Sequence, residues 1–388
     1  MPVRRGASRT VRRRAMGAAA LLAATLTAGA LAAPAVAASP GDGHEETRRA
    51  LDGIVKEGVP GVTAQVRDKY GPWNAASGIG DLKRGTPRGE HDRFRVGSIT
   101  KTFVATVLLQ LQGEGRIDLD DTVGQWLPGV VEGHGHDGDR ITVRQLLNHT
   151  SGIAEYSEDE EFARKIFTKG FFEHRYDTWT PGRLVKLAMR HKPVFEPGTS
   201  WSYSNTNYIV AGMIIKKVTG NAYADEIERR VIEPLHLKST TVPGTRPTVP
   251  RPSSRGYGKL PGDPEAKVYD VTELNPSLAG SAGEIISDSA DLNRFYSALL
   301  GGRLLPKAQL AEMKSTVAHE GSTSRYGLGI AELKLPCNST IWGHDGGIHG
   351  SSSLAVTSPD GRHSLALNIN GDWAGDADPV VKAEFCGK

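Results

Sequence analysis

The sequence predicts an α+β protein, an α/β sandwich in which one antiparallel sheet is built from both ends of the chain and flanked by helices. Three observations predict it. Strand-like alternation occurs early, in Val62-Thr63-Ala64-Gln65-Val66 and Trp73-Asn74-Ala75-Ala76-Ser77-Gly78. It returns only near the other end, in Tyr326-Gly327-Leu328-Gly329-Ile330, Ser339-Thr340-Ile341-Trp342-Gly343, Ser352-Ser353-Leu354-Ala355-Val356 and His363-Ser364-Leu365-Ala366-Leu367-Asn368-Ile369. Between these stretches, apolar residues three and four apart and helix-cap signals mark a mostly helical insertion. The division read from this pattern is residues 45–118 with 283–388 for the sheet domain and 119–282 for the helical domain, with the active site in the cleft between them.

Taken in order, residues 1–37 have the form of a secretory signal. Arg4, Arg5, Arg9, Arg12, Arg13 and Arg14 give a positive start, residues 16–33 are apolar, and Ala35-Val36-Ala37 is a cleavage signal before Ala38. A secreted, bacterial protein is expected, with the folded-export route left open. No other stretch is long and apolar enough to span a bilayer, so no stable membrane insertion is expected. Residues 41–55 read as a short helix. Pro60-Gly61 turns the chain into the first strand, and Tyr70-Gly71-Pro72 into the second. Residues 103–111 read as an amphipathic helix. His134 and His136 lie beside Asp137 and Asp139, but Gly133, Gly135 and Gly138 make that stretch a solvated loop rather than a metal site.

Ile141-Thr142 caps a helix running through Leu147. Thr180-Pro181 opens another by the cap-then-proline rule. Residues 207–219 form a helix ended by Gly220, and 222–231 continue the helical run to Pro234. Residues 243–264, rich in Pro and Gly, read as an ordered excursion over the surface. Residues 288–300 return to helix, Pro359-Asp360-Gly361 is a hairpin signal, and 379–385 form a closing helix.

The formal charge is +3 over 388 residues, and six arginines fall in the first 14, so the body is near neutral or slightly acidic. That excludes the basic footprint of a nucleic-acid binder. Cys337 and Cys386 are the two cysteines, and in an oxidising compartment an even pair is readily a disulfide. It would tie the end of the chain to the region just before His344.

The chemistry centres on Val96-Gly97-Ser98-Ile99-Thr100-Lys101. Gly97 permits a tight turn, and Ser98 falls at a helix start where backbone N–H groups are unpaired. Lys101, three residues on, stands over the same face. A serine hydroxyl needs a base, and a desolvated lysine can be one. Alone the pattern is weak, since a serine capping a helix near a solvated lysine looks the same.

Two further motifs stand in register with it: Tyr203-Ser204-Asn205 and His344-Asp345-Gly346. Together with Phe94-Arg95-Val96-Gly97-Ser98, Ile141-Thr142-Val143-Arg144-Gln145, Ser281-Ala282-Gly283 and Tyr326-Gly327-Leu328-Gly329, they make residues 45–388 resemble the penicillin-recognising serine hydrolases, the beta-lactamase/DD-peptidase family. The likeness is greatest to the secreted D-alanyl-D-alanine carboxypeptidases of actinomycetes, with D-stereospecific amidohydrolases and class C beta-lactamases as cousins. It implies that Ser98 attacks a carbonyl and becomes acylated. Lys101 and Tyr203 then share proton transfer, Tyr203 as phenolate or as relay to the leaving group, and Asn205 orients the substrate amide. His344 lies on the strand edging the cleft, Gly346 keeps that backbone close, and the N–H groups of Ser98 and Gly347 form an oxyanion hole. Trp201 and Tyr156 read equally as cleft lining or core.

The chain departs from the carboxypeptidase pattern at the substrate carboxylate. Asp345 and Gly347 stand where threonines are expected, Ala331 replaces an arginine, and Leu278 replaces a tryptophan at the substrate. An added aspartate and a missing arginine disfavour a carboxylate and favour a cation. The expected substrates are therefore peptides, amides or esters of D-amino acids with a free α-amine, with the strict carboxypeptidase, a beta-lactamase and an esterase as alternatives. Amine acceptors, beta-lactam inhibitors, no cofactor, no metal and a monomer are the further expectations.

Overall fold

A computed structural model of the chain describes residues 43–260, 267–318 and 324–387. The signal reading of residues 1–37 lies outside the described residues, as does the end of the Pro- and Gly-rich excursion. Helix α1 (Glu45–Lys56) buries Thr47, Leu51 and Ile54, one stripe at spacings of four and three. Strands β1 (Gly61–Asp68) and β2 (Gly71–Asp81) pair as a hairpin, followed by β3 (Thr86–Pro87). Helix α2 (Thr100–Gly113) follows the nucleophile turn, α3 (Val143–Leu147) is held by the Thr142/Gln145 capping box, and α4 (Asn205–Thr219) ends at Gly220 with φ +83°. Helix α5 (Ser289–Leu300) starts at the Asp288 cap. The remaining sheet strands are β4 (Val317–Ala318), β5 (Arg325–Tyr326), β6 (Ala331–Lys334), β7 (Thr340–Ile348), β8 (Ser351–Thr357) and β9 (Ser364–Ile369), before α6 (Asp378–Cys386).

The sheet runs β4-β5-β6-β7-β8-β9-β1-β2-β3 with antiparallel neighbours, so both ends of the chain do build it. Its register assigns the faces, because residues directly opposite share one. His344, Ala355, Ala366 and Gln65 lie in one row. That face meets α5, whose Asn293 donates to the Gln65 carbonyl at 2.8 Å, and α5 stacks Phe295 on Phe103 of α2 at 3.8 Å between centroids. Asp345, Leu354, Leu367 and Ala64 form the next row, on the face packed with Leu51, Ile54, Val380 and Val381 of α1 and α6. Cys337, in the β6–β7 turn, is disulfide-bonded to Cys386 at the end of α6, as the paired cysteines predict.

Three elements differ from expectation. Helix α2 is not amphipathic: Thr100 through Leu109 and Leu111 are all buried, because it runs through the middle of the main core. Residues 326–330 are not one strand. Gly329 takes φ +71° and the Gly327 N–H donates to the Ile330 carbonyl at 2.7 Å, making a tight link between β5 and β6. The helical run beyond Tyr223–Ile227 widens into a π turn at Glu228–Ile232, where the ring of Pro234 would collide with the Arg230 carbonyl of a regular helix. Among the described residues no helix is long and apolar enough to cross a membrane.

Candidate active site

Ser98 sits in a single 3₁₀ turn, Gly97–Ile99, that leads directly into α2. Gly97 holds φ +55°, a conformation costly for any residue with a Cβ. Strand β7 lies backbone to backbone against this turn. A methyl group at Gly346 would fall 2.0 Å from the Val96 carbonyl oxygen and 2.9 Å from the Ser98 nitrogen, so only glycine permits the approach. A Cβ on Gly97 would in turn lie 2.7 Å from the Gly347 nitrogen. The expected pair of oxyanion N–H donors, Ser98 and Gly347, thus belongs to two facing backbones.

Lys101 is completely buried. Its Nζ donates to Ser98 Oγ at 3.0 Å, to Asn205 Oδ1 at 2.7 Å and to the Ala282 carbonyl at 2.9 Å. Three donor positions meet three acceptors, which fixes the amine one hydrogen bond from the serine. Burial lowers its pKa from 10.5 to about 7, against the opposing charges of Glu155 and Asp345. The amine is therefore poised between its two protonation states at neutral pH.

Tyr203 approaches from the far side. The Lys101 amine lies 4.8 Å from its ring centroid. Burial pushes the Tyr203 phenol well above its usual range, and a hydrogen bond with Ser98 pulls the other way. The free protein therefore holds a neutral phenol there. Asn205, the first residue of α4, is oriented by a residue that the sequence reading missed. Glu155 accepts the Asn205 backbone N–H and its Nδ2 (3.3 Å from Oε1), which turns Oδ1 toward Lys101. A carboxylate at a helix N-terminus is favourable in its own right.

His149 was also missed. It is fully buried at φ +63°, and its ring lies 4.3 Å from that of Tyr203. Its carbonyl accepts the Ser202 N–H at 3.1 Å, and its Nδ1 accepts the Ser204 N–H at 3.2 Å. Asn207 Oδ1 takes the Ser151 hydroxyl at 2.6 Å, so its Nδ2 is left to donate to His149 Nδ1 at 3.1 Å. Two donors on Nδ1 require a neutral imidazole protonated on Nε2. Burial, then the positive charges of Lys101 and His344, hold its pKa well below the ordinary histidine value. His149 therefore grips three successive residues around Tyr203 by backbone, ring face and ring nitrogen.

His344 is buried on β7, with Nε2 2.7 Å from the Tyr326 hydroxyl and Nδ1 2.5 Å from the Asp345 carbonyl oxygen. Burial lowers its pKa, and both nitrogens are already engaged within the protein. Asp345 follows the strand alternation onto the opposite face, where its side chain is 87% exposed. It stands with Ala331, Gly347 and Leu354 along a groove of about 820 Å³. Trp201 lies at the site, 6.0 Å from the Tyr326 ring and 6.4 Å from that of Tyr203. Leu278, expected at the substrate, is instead 5% exposed and part of the core, because its carbonyl accepts the hydroxyl of buried Tyr156 at 2.9 Å. Tyr156 is core as well. Among the described residues no group of three or more His, Cys, Asp or Glu side chains is arranged to hold a metal ion.

This arrangement can deprotonate a serine, receive an oxyanion and deliver a proton. The chain's similarities agree with that chemistry. The family model for Beta-lactamase matches residues 42–381. A D-stereospecific amidohydrolase from Streptomyces sp. is 59% identical, with a TM-score of 0.85 over 89% of this chain and 99% of that one. The D-amino acid amidase of Ochrobactrum anthropi SV3, solved with D-phenylalanine, is 30% identical, with a TM-score of 0.78 over 90% of this chain and 100% of that one. Penicillin-binding protein 4* of Bacillus subtilis (strain 168) is 29% identical over 76% of this chain, which spans 64% of that relative's length.

Proposed function

The chain belongs to the Beta-lactamase family, and from that premise we propose that it is a serine acyl-transfer hydrolase for amides, esters or short peptides of D-amino acids that carry a free α-amine. The observation that carries the reading is the buried Lys101 amine, bonded at once to Ser98 and Asn205. In its neutral form the amine takes the Ser98 Oγ proton as Oγ bonds to the substrate carbonyl carbon. The carbonyl oxygen, now an anion, faces the N–H groups of Ser98 and Gly347. The C–N or C–O bond to the leaving group then breaks, and the proton passes to that group through the neutral phenol of Tyr203. Water, or an amine acceptor, reverses the sequence. Beta-lactams would acylate the same Ser98. The order of charge, apolar stretch and Ala-Val-Ala in residues 1–37 supports export from a bacterial cell.

Substrate choice rests on charge. Asp345, outside the cleft wall, adds negative potential that repels a substrate carboxylate. Glu155, part-buried beside Asn205 and Lys101, is the carboxylate within the site itself and is the partner we assign to the α-amine. The 59% identity with a D-stereospecific amidohydrolase supports the same substrate class. The deciding experiment compares kcat/KM on D-phenylalanine amide with that on a diacylated L-lysyl-D-alanyl-D-alanine peptide. Preference for the amide is expected, and preference for the peptide would return the chain to the carboxypeptidases. Glu155→Gln should raise KM for free-amine donors about tenfold more than for their N-acetylated forms, the loss of a charged hydrogen bond being about 1.5–3 kcal/mol. It should also move the acid limb of kcat/KM to lower pH, since the charge of Glu155 raises the Lys101 pKa. Equal KM changes for both donors would free Glu155 from amine recognition.

A second variant probes His149. Asparagine tolerates φ near +60° and presents Oδ1 where His149 presents Nδ1, but offers no ring face. His149→Asn is expected to lower kcat by about 10- to 100-fold through misplacement of Tyr203, with KM nearly unchanged. A kcat within twofold of the parent would reduce His149 to a structural residue.

A further inference from the structure

The stretch of β7 that faces the nucleophile has a sheet partner on one side only. β6 pairs with β7 from Lys334 opposite Thr340 to Ala331 opposite Gly343, so among the described residues 344–348 have no ladder partner on that edge. The free edge is the one turned to Ser98, because a Cβ on Gly97 would lie 2.7 Å from the Gly347 nitrogen and 2.9 Å from its oxygen. Three of the five residues from Gly346 to Gly350 are glycine, which leaves Ile348 and His349 as the side chains able to fix the stretch. Ile348 packs against the main core. His349 reaches across to residues 166–171.

Its Nε2 lies 2.7 Å from the carbonyl oxygen of Ile166, the last residue of the helix Glu160–Ile166. A carbonyl only accepts, so Nε2 carries the proton and donates to one of the helix's terminal carbonyls. The ring stacks on Phe171 with centroids 4.6 Å apart and planes at 14°, and on Phe167 at 5.5 Å and 7°. Burial lowers its pKa, against the Ile166 carbonyl and Asp372 and with Arg95, so the ring is neutral at neutral pH. The next residue, Gly350, takes φ +71° and donates its N–H to Asp372 Oδ2 at 2.8 Å. A directional bond and two parallel aromatic faces thus fix both the position and the tilt of the His349 ring.

We propose that His349 is a positioning residue for acyl transfer: by docking the end of β7 on Ile166, Phe167 and Phe171, it sets where the Gly347 N–H stands relative to Ser98. This role rests on the acyl-transfer reading above. Gly347 is two residues before His349, about 7 Å of strand, so a displaced anchor displaces the donor. Pairing with β8 does not replace the anchor, because the two strands of a hairpin shift together. The hydroxyls of Ser351 (2.7 Å) and Ser353 (3.3 Å) on β8 donate to the Arg95 carbonyl and tie the hairpin to the chain just before the nucleophile turn. His349 supplies the tie to the residues that follow Glu155. An oxyanion donor acts through its placement, and misplacement weakens the transition state more than the bound substrate.

Two variants separate the hydrogen bond from the stack. His349→Phe keeps a ring but has no donor, and His349→Gln keeps an N–H for the Ile166 carbonyl but has no ring. Steady-state kinetics on D-phenylalanine amide are the measurement. His349→Phe is expected to lower kcat about 10- to 30-fold with KM within twofold, and His349→Gln to recover kcat to within about threefold of the parent. Should His349→Phe not fold, His349→Leu takes its place, with the same loss expected. A kcat within twofold of the parent in the variant without a donor overturns the proposal. So does a KM that rises as far as kcat falls, or a His349→Gln variant no faster than His349→Phe. A parent inactive on the amide that still shows Ser98-dependent nitrophenol release from p-nitrophenyl acetate would sink the proposed substrate, and the same comparison on that ester then decides the role of His349. A parent that acylates on neither donor overturns both.

Discussion

Replacing Ser98 with alanine is expected to lower kcat/KM on D-phenylalanine amide about 10⁴- to 10⁶-fold and to abolish covalent labelling by a beta-lactam. The size of the effect follows from the geometry. The Lys101 amine is aimed at one hydroxyl, 3.0 Å away, and its other two hydrogen bonds go to Asn205 and the Ala282 carbonyl, which are not nucleophiles. Without Oγ the base has no proton to remove, and water would have to take the serine's place inside a turn closed by β7. Residual turnover would come from the oxyanion donors and from binding alone. Folding should be little affected. Ser98 is part-exposed, and the lost hydrogen bond contributes about 1 kcal/mol. Intact-mass spectrometry of the parent and the variant after beta-lactam treatment gives the check. A variant that still turns over within tenfold of the parent, or carries an adduct at another residue, would remove Ser98 from the mechanism.

How much of this was legible in the residues depends on how local each signal is. The Ser98–Lys101 pair was legible because a helix start brings positions three apart onto one face, and the sheet because its alternation is written strand by strand. Leu278 carries no local signal of its placement: its position in place of a tryptophan suggests the substrate side, whereas the bond from Tyr156 holds this segment in the core. Glu155 and His149 have no local pattern. Each acts on residues about fifty positions away, Asn205 and Tyr203, and only the folded chain brings them together. The placement of Asp345 did have a signal. On a strand, successive side chains take opposite faces, so a buried His344 already implied that Asp345 looks away from it. The 326–330 segment had one too, in its two glycines, which favour the tight link found between β5 and β6.

Lys101→Met should separate catalysis from stability. Removal of the base is expected to cut kcat/KM by about 10²- to 10⁴-fold, and the acid limb near pH 7 expected of the parent should vanish. The stability effect has a sign fixed by linkage. Burial, opposed by Glu155 and then Asp345, lowers the amine from 10.5 to about 7 in the folded chain. Between those two values the unfolded chain binds the proton and the folded chain does not, so parental stability rises with pH across that window. Below it, holding Lys101 inside costs roughly 5 kcal/mol; above 10.5 that cost is gone. Methionine carries no proton, so the variant lacks this slope whatever it loses by leaving Ser98, Asn205 and Ala282 without their donor. Between about pH 7 and about pH 9 the parent should therefore gain about 2 kcal/mol on the variant. Urea titrations of both proteins at the two pH values measure that difference. A parent–variant gap that does not change with pH would mean that Lys101 keeps its ordinary pKa when folded. It could then not be the base that activates Ser98 at neutral pH, and proton removal would have to be reassigned to Tyr203.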